Sequence, residues 1–217
     1  MLTEVRQEVY AMHTELVRYG LVSWTSGNVS GRDPDSGLVV IKPSGVKYED
    51  LRPEMLVVVD LAGEVVEGTL APSVDTASHL HIYRHRPDVR GVVHTHSPYA
   101  TAFAALERPI PIYLTSMADE FGQAIPCAAY APVGSEAIGE EVLRWLASCP
   151  VVLLAHHGVF AIGPSPTAAT KAAVMAEDAA RICYFALQLG QPQELPAEEV
   201  ARAYQFHIRN YGQRKNG

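Results

Sequence analysis

The 217-residue chain has little cysteine, no basic cluster and no long apolar run. Cys127, Cys149 and Cys183 are odd in number and form no Cys-x-x-Cys pair, which argues against a disulfide scaffold. We expect reduced, buried thiols in a cytoplasmic protein. Residues 1–8 are charged and amphipathic, unlike a signal peptide, and no run approaches the ~20 apolar residues of a membrane span.

Basic residues are too few and too dispersed for nucleic acid to be the main partner. Lys and Arg number 17 against 24 Asp and Glu, and the formal net charge is −7. Phosphate backbones need clustered cations, whereas a small phosphorylated ligand needs only a local pocket of donors. The hydrophobic content of 48% supports a substantial core. We therefore expect a globular protein without nucleic-acid or membrane partners.

No repeat or linker interrupts the chain, so a single domain over residues 1–217 is the simplest expectation. Apolar spacing and end signals predict helices over 4–19, 76–86, 98–106, 135–147, 167–189 and 197–210. Apolar runs bounded by turn residues predict strands over 37–42, 56–60, 64–67, 89–94, 151–155 and 159–162. The short links between strands indicate antiparallel pairing. We expect an α/β fold with three layers, in which helices cover both faces of a central, largely antiparallel sheet.

The most informative segment is the short apolar run 91–97, which ends in His94 and His96. Alternate side chains share one face of a strand, so both imidazoles should point the same way and Thr95 the other way. Two adjacent neutral imidazoles form half of a site for a divalent ion, zinc above all. The spacing also occurs without a metal, so it needs further ligands to support it.

Three more polar features are predicted to fall at junctions between loops and strands. Asp75 precedes a predicted helix, Asp119 lies in the segment 115–122, and His157 follows a buried strand and precedes Gly158. Three histidines, with or without a carboxylate, suit a catalytic metal site that keeps one position open for substrate. Each residue also has a structural interpretation: Asp75 as a helix N-cap, Asp119 as a solvated carboxylate and His157 as a turn residue.

The remaining histidines receive simpler interpretations. We expect His79 to make a hydrogen bond within its helix. His81 and His85, spaced i, i+4, are expected on the exposed face of that helix. His13 and His207 are assigned no role.

A series of short motifs extends along nearly the whole chain. They are Ser26-Gly-Asn-Val-Ser30, Ile41-Lys-Pro-Ser-Gly-Val46, Pro72-Ser-Val-Asp-Thr76, His79, Val93-His-Thr-His-Ser97, Ile125-Pro-Cys127 and His157-Gly158. In this order and together, they resemble the class II sugar-phosphate aldolase and epimerase family, whose members include L-fuculose-phosphate aldolase and L-ribulose-5-phosphate 4-epimerase.

The resemblance implies a zinc ion bound by His94, His96 and His157. Mn²⁺ and Co²⁺ are alternatives, because imidazole ligands accept all three metals. Asp75 is expected to be a ligand or near-ligand of the same ion. His156 falls where relatives carry Asn or Ser, so it is not expected to bind metal.

The resemblance also implies a small phosphorylated sugar as the substrate. Loop amides and hydroxyls can hold a dianion even in an acidic protein. One position departs from the family: relatives usually carry Pro-Ser-Ser before the acidic residue, and Val74 replaces the second serine. Either phosphate affinity is lower or the anionic end of the substrate differs. The expected phosphate-binding residues are Asn28, Ser44, Gly45 and Ser73, with Lys42 nearby.

Both reactions of the family break a carbon–carbon bond with the help of a Lewis-acidic metal. An aldolase releases the aldehyde, whereas an epimerase re-forms the bond on the other face and needs an acid/base group on each side. Asp75 followed by Thr76 resembles the epimerases, since the aldolases carry Glu there. Asp119 matches a catalytic Asp of the epimerases. Tyr211, in Tyr211-Gly-Gln213, matches a C-terminal Tyr that reaches a neighbouring subunit's site.

The leading prediction is a zinc-dependent epimerase that converts L-ribulose 5-phosphate to D-xylulose 5-phosphate. One alternative is a class II aldolase of the L-fuculose-1-phosphate type, which releases dihydroxyacetone phosphate and an aldehyde, with Asp75 as the acid/base. A dehydratase or decarboxylase is a third option, and a non-catalytic metal-binding domain a fourth. The resemblance further implies a homotetramer with active sites between subunits.

Overall fold

A computed structural model describes residues 2–212 of the chain. Within that range the helices are α1 (Thr3–Arg18), α2 (Thr76–His85), α3 (Pro98–Ala105), α4 (Thr115–Phe121), α5 (Ala137–Leu143), α6 (Pro166–Leu189) and α7 (Ala197–Asn210). The strands are β1 (Asn28–Arg32), β2 (Val39–Ile41), β3 (Val57–Val59), β4 (Val65–Glu67), β5 (Gly91–Thr95), β6 (Cys127–Ala128), β7 (Val151–Leu154) and β8 (Gly158–Gly163).

The strands described within residues 2–212 form one mixed sheet in the order β4-β3-β2-β1-β5-β8-β7-β6. Strands β6 and β7 are parallel, and the other neighbouring pairs are antiparallel. The predicted hairpins β3–β4 and β7–β8 are confirmed. Strand β5 lies in the interior of the sheet, between β1 and β8.

Three elements were not predicted: strand β1, whose residues were expected to form a turn or loop that enters a strand, helix α4 and strand β6. Helix α4 spans seven residues, has no side-chain hydrogen bond at its N-cap Leu114, and ends at Gly122 with φ of 67°. Strand β6 has only two residues, too few to show a period. The prediction that Asp119 lies at a junction with a strand was therefore wrong: Asp119 lies inside α4.

Neighbouring residues of the interior strand β5 belong to different apolar clusters. Val93 lies in a cluster that includes Ala173 of α6, whereas Val92 lies in one that includes Ile82 of α2. Helix α6 begins after Ser165, whose hydroxyl accepts a hydrogen bond from the amide of Ala168 at 3.1 Å. Full burial of an aliphatic side chain stabilises the fold by about 1.5–3 kcal/mol, so both clusters hold β5 in place.

Several chain ends meet at one edge of this sheet. Because β1 and β8 each run antiparallel to β5, the start of β1 and the start of β8 lie beside the end of β5. Helix α2 begins close to the same place, since the residue before it is hydrogen-bonded to the first residue of β1. No helix within residues 2–212 is long and apolar enough to cross a membrane.

Candidate metal centre and substrate cleft

The end of β5 places His94 and His96 side by side, as strand alternation predicts. Their ring centroids are 4.7 Å apart and their Nε2 atoms 3.1 Å apart. His94 is buried, stacks on Phe160 at 4.5 Å, and its Nδ1 lies 3.0 Å from the carbonyl oxygen of Val159. A carbonyl only accepts hydrogen bonds, so Nδ1 of His94 donates and Nε2 keeps a lone pair for a ligand.

His157 joins this pair because it immediately precedes β8. The ladder between β5 and β8 ends at the pair Thr95–Val159, and the His157 ring centroid lies 4.8 Å from that of His94. The next residue has to be glycine: a Cβ on Gly158 would lie 2.4 Å from the carbonyl oxygen of Thr95 and 2.8 Å from Cδ2 of His96. The close approach of the three histidines therefore depends on the missing side chain at Gly158.

The three histidines fit a divalent cation. One ring nitrogen from each lies within 4.8 Å of the others. Burial lowers the pKa of His94 to about 3 and lowers the pKa of His96 and His157 below the ordinary value, so all three are neutral near pH 7, the form that binds metal. Nδ1 of His157 is buried and has no hydrogen-bond partner among the described residues. Three imidazoles without cysteine are typical of a catalytic site.

Asp75 lies beside the histidines and does not act as a helix cap. It occupies the N-cap position of α2, but its side chain makes no capping hydrogen bond. Its Oδ2 instead accepts a 2.7 Å hydrogen bond from Nδ2 of Asn28, which pairs with His94 across β1 and β5. Burial by itself would raise the pKa of Asp75, but nearby His94 and His79 and the Asn28 hydrogen bond hold that pKa below its ordinary value. The carboxylate is therefore ionised at neutral pH.

One cleft of about 420 Å³ contains the histidines, Asp75 and the residues expected to bind phosphate. Lys42 lies in its wall, almost fully buried, and its Nζ is 3.3 Å from the carbonyl oxygen of Thr25. Burial lowers the pKa of Lys42. The structure thus places together these residues of the sequence prediction: His94, His96, His157, Asp75, Asn28, Lys42, Ser44, Gly45 and Ser73.

Some residues that line the cleft were not predicted as site residues. Thr25 and Ser26 precede Asn28 in a polar run that offered a signal, whereas Val133, in the loop after β6, offered none. Val74, the position that departs from the family, also lines the cleft and is 63% exposed. A serine at position 74 would therefore face the cleft.

Asp119 and Tyr211 lie elsewhere in the chain. Neither is among the described residues that line the cleft. Asp119 is half-buried in α4, which packs against α7. Tyr211 directly follows α7, is 75% exposed and stacks on His207, with ring centroids 4.3 Å apart. Gln213, the last residue of the predicted motif that begins at Tyr211, lies outside the described residues.

The other histidines differ partly from expectation. His156 is exposed and its Nε2 lies 2.9 Å from a carboxylate oxygen of Glu107. His79 bonds to Ser30 on a neighbouring strand at 2.7 Å instead of to its own helix. His81 is buried, not exposed, and bonds to Glu136 at 2.7 Å. The expectations for His79 and His81 failed because α2 is hydrogen-bonded to Ser30 of β1 and packs against α5, contacts that helix periodicity alone does not reveal. His85 is exposed, as expected.

Comparison with known proteins identifies the family. The family model described as class II aldolase and adducin N-terminal domain matches residues 7–184. The chain belongs to the class II aldolase family. The match takes in all three histidines, Asp75 and the loops of the cleft, and it ends before α7 and Tyr211.

Solved structures agree with this class II aldolase assignment. The chain is similar to an L-fuculose 1-phosphate aldolase, with 32% identity, a TM-score of 0.88 and coverage of 94% of this chain and 95% of that one. It is similar to YgbL from Escherichia coli, for which an aldolase, epimerase or decarboxylase activity has been suggested, with 27% identity, a TM-score of 0.83 and coverage of 93% and 98%. A third structure, L-fuculose-1-phosphate aldolase from Thermus thermophilus, has 28% identity, a TM-score of 0.75 and coverage of 88% and 98%.

The family assignment and the cleft lead to the same functional class. A non-catalytic domain would not need an ionised Asp75 beside a three-histidine site and a set of polar loops in one cleft. The chain is an enzyme of the metal-dependent class that acts on sugar phosphates, either as an aldolase or as an epimerase.

Proposed function

We propose that this class II aldolase cleaves a phosphorylated ketose to dihydroxyacetone phosphate and an aldehyde. The observation that carries the proposal is the cleft, in which one chain supplies three histidines, Asp75 and the polar loops. These groups suffice for aldol chemistry. The similarity to an L-fuculose 1-phosphate aldolase at 32% identity supports the same reaction type.

We propose zinc as the ion, held by His94, His96 and His157. A divalent ion there supplies a Lewis acid that stabilises the negative charge developing on the ketose oxygens as the carbon–carbon bond breaks. The hydrogen bond from Nδ1 of His94 to Val159 fixes the orientation of that imidazole. Metal analysis of the purified protein tests the identity of the ion.

We propose that Asp75 moves the proton at carbon. The hydrogen bonds that its side chain accepts from described residues go to Oδ2, which leaves Oδ1 free to face a substrate. In the aldol direction, Oδ1 removes a proton from the carbon next to the carbonyl of dihydroxyacetone phosphate. It passes this proton to the aldehyde oxygen as the new bond forms. In the cleavage direction the same proton moves from that hydroxyl through Oδ1 back to the carbon, so Asp75 is ionised again after each turnover.

We propose that the phosphate lies at the other end of the cleft, against Ser44, Gly45, Ser73 and Asn28. The hydroxyl of Ser44 and the amide of Gly45 belong to an exposed turn that faces the cleft. Backbone amides and hydroxyls in such turns bind anions without a basic patch. Lys42 contributes a nearby positive charge, although its ammonium group is directed at backbone carbonyls.

A second candidate is the predicted 4-epimerase of L-ribulose 5-phosphate. The observation in its favour is that Asp119 lies on α4 and Tyr211 directly follows α7, and these two helices pack together. Neither residue lines the cleft of the same chain. In a homotetramer with sites between subunits, these residues would serve a neighbouring cleft. We place this candidate second because it needs residues that one chain does not bring to its own cleft.

The experiment that separates the two is NMR product analysis of zinc-loaded protein with two substrates. Dihydroxyacetone phosphate from L-fuculose 1-phosphate supports the aldolase, and D-xylulose 5-phosphate from L-ribulose 5-phosphate, without free aldehyde, supports the epimerase. Asp75→Asn should keep the metal and lower aldol turnover by about 10²-fold or more. Asp119→Asn and Tyr211→Phe should slow the epimerase selectively. Metal-loaded protein silent with both substrates would refute both candidates.

We further propose that residues 1–217 form a single three-layer α/β/α domain that assembles as a homotetramer in the cytoplasm. The free cysteines Cys127, Cys149 and Cys183 support a reducing compartment. Apolar side chains that are exposed in the single chain, such as Phe206, Ile208 and Leu189, support self-association. Light scattering across a dilution series tests the assembly, and a monomer at all concentrations would contradict it.

A further inference from the structure

We call the part of the cleft lined by Asn28, Ser44, Gly45 and Ser73 the anion end. Two loops supply these residues apart from Ser73, and no strand pairing joins the two loops directly. We call residues 24–28 the first loop and residues 42–48 the second loop. The ladder between β1 and β2 runs from Arg32–Val39 to Ser30–Ile41, and both loops extend beyond its end. The distance between the two loops sets the width of the anion end. Because no ladder joins the loops, contacts from side chains have to fix that distance.

Tyr48, at the end of the second loop, makes the shortest of these contacts. Its hydroxyl lies 3.0 Å from the carbonyl oxygen of Ser26 and 2.9 Å from that of Gly27. Carbonyls only accept, so the single hydroxyl proton is shared between them. Tyr48 is half-buried and is not among the described residues that line the cleft. Tyr48 therefore contacts the first loop through backbone carbonyls and does not itself line the cleft.

Gly27 connects this contact to the metal end. Its φ is +75°, and a Cβ there would lie 2.6 Å from Val22 and 2.9 Å from the carbonyl oxygen of His94. The backbone of Gly27 therefore lies directly against the strand that carries a metal-binding histidine. Tyr48 holds the carbonyl of the same residue, so it fixes the first loop between β5 and the second loop.

Two charged contacts between the loops are weaker. Nζ of Lys42 lies 3.3 Å from the carbonyl oxygen of Thr25 and 5.1 Å from the ring centroid of Tyr48. Nζ of Lys47 lies 4.1 Å from the ring of Trp24, which is 71% exposed. An exposed cation–π contact contributes only about 0.5–1 kcal/mol. The hydroxyl of Tyr48 is neutral and partly shielded from water, so salt does not screen its bonds.

We propose that Tyr48 is a positioning residue, which holds the first loop at the distance from Ser44 and Gly45 that suits the phosphate of the substrate. The inference rests on the proposed function, because it assigns the anion end to phosphate. Tyr48 does not touch the substrate in this proposal. It controls the affinity for the phosphorylated substrate through the carbonyls of Ser26 and Gly27.

The test is Tyr48→Phe, which keeps the aromatic ring beside Lys42 and removes only the hydroxyl. We expect KM for the phosphorylated ketose and Kd for inorganic phosphate to rise together by about tenfold, because two partly buried carbonyls lose their donor. Turnover should stay within about twofold, and the metal content should not change. Hydrogen exchange of residues 24–28 should become faster.

Tyr10→Phe is the matched control. Tyr10 lines the same small cavity as Tyr48, and its hydroxyl makes no hydrogen bond to any residue in the range 2–212 that the structure describes. The Tyr10→Phe variant should leave KM, Kd and the hydrogen exchange of residues 24–28 unchanged. A Tyr48→Phe protein with the KM and Kd of wild type would overturn the inference. So would a joint loss of turnover and metal, which would mean a general structural role.

The same measurements separate this inference from the proposed function. Wild-type protein that binds neither inorganic phosphate nor a phosphorylated ketose would refute the proposed function. In that case, hydrogen exchange alone tests whether Tyr48 holds the first loop in place. Faster exchange of residues 24–28 in Tyr48→Phe, but not in Tyr10→Phe, would support it, and equal exchange would overturn it.

Discussion

His94 lies in a strand that is paired on both sides, whereas Ser44 and Gly45, which line the same cleft, lie in an exposed turn. At the metal end, backbone ladders fix the position of His94, and His96 and His157 lie directly beyond the paired ends of β5 and β8. At the anion end, a few hydrogen bonds from side chains to backbone carbonyls hold the two loops together. The same cleft thus has a rigid metal end and an anion end in which single side chains set the positions of the loops.

The difference indicates how each half responds to substitution. The metal end is closely packed, so it is sensitive to added volume and to loss of a ligand. The anion end is open, so it accepts changes of size, but it depends on individual donors. Substitutions at the metal end should therefore abolish function, and those at the anion end should change affinity by modest factors.

The largest effect is expected from His94→Ala. Removing one of three imidazoles leaves too few ligands to retain the ion, so metal content and activity should be lost together. Metal analysis after dialysis, with an activity assay on the same sample, checks this. His156→Asn is the control, because it changes an exposed neighbouring histidine whose left-handed backbone (φ 57°) asparagine tolerates. Stoichiometric metal in His94→Ala would remove His94 from the ligand set.

Gly158→Ala should be the next most severe change. The added methyl group would lie 2.4 Å from the carbonyl oxygen of Thr95 and 2.8 Å from His96, so the turn or the imidazole has to move. We expect metal affinity to fall by about 10–100-fold, the range seen when groups that orient ligands are altered. Gly190→Ala, where a Cβ meets nothing within 4 Å, should change nothing. Equal metal affinity in the two variants would show that the metal end is less rigid than we infer.

His13 should make the stability of the metal-free protein depend on pH. It lies behind β1: its Nδ1 donates to the carbonyl of Val9 at 2.8 Å, and its Nε2 accepts from the amide of Val29 at 2.9 Å. Burial lowers the pKa of His13 from 6.5 to about 3. Between these values the unfolded chain binds a proton that the folded chain does not, so stability is full above about pH 6.5 and falls as the pH falls toward 3.

The measurement is urea unfolding of chelator-treated protein from pH 7.5 to pH 4.5. His79 and His94, whose pKa values burial also lowers, to about 4 and about 3, add to the same slope. His13→Gln should therefore reduce the slope without removing it. A slope identical to wild type would show that His13 binds its proton equally in the folded and unfolded chains, which would contradict the lowered pKa of His13.

The smallest effect is expected from Val74→Ser. Val74 lines the cleft and is exposed, so a serine there adds one hydroxyl donor at the anion end without disturbing packing. KM for the phosphorylated substrate should fall by about two- to fivefold, the worth of one added hydrogen bond, with kcat unchanged. Val74→Ala controls for the lost volume. An unchanged or higher KM would indicate that the anionic group of the substrate lies elsewhere.

Local pattern predicted most of the fold because most elements are long enough to show a period. Helices α1, α6 and α7 and strands β5 and β7 follow the predicted spans closely, since several turns or a full apolar run define each of them. Helix α4 and strand β6 were missed because seven and two residues define no period. The parallel pairing of β6 with β7 is a contact between distant segments, which no local pattern encodes.

The candidate site divides in the same way. The i, i+2 spacing was enough to place His94 and His96 on one face, because strand alternation is a local property. The residue types suggested His157 and Asp75 as further members of the site, but only the resemblance to a family joined them to this pair in one ligand set. Asp119 and Tyr211 remain predictions that depend on a neighbouring subunit. Tyr48 carried no sequence signal, because its role depends on two carbonyls more than 20 positions away.

The sequence by itself determined the family, the pair of histidines at the end of β5, the polar loops and the absence of a basic cluster. These follow from residue type and short-range spacing, which the chain carries in any conformation. Only the tertiary structure decided that Asp75 bonds to Asn28 instead of capping α2, that Gly158 admits the third histidine, and that Tyr48 supports Gly27. Each of these depends on distances between segments far apart in the chain, which form only when the sheet assembles and the helices pack against it.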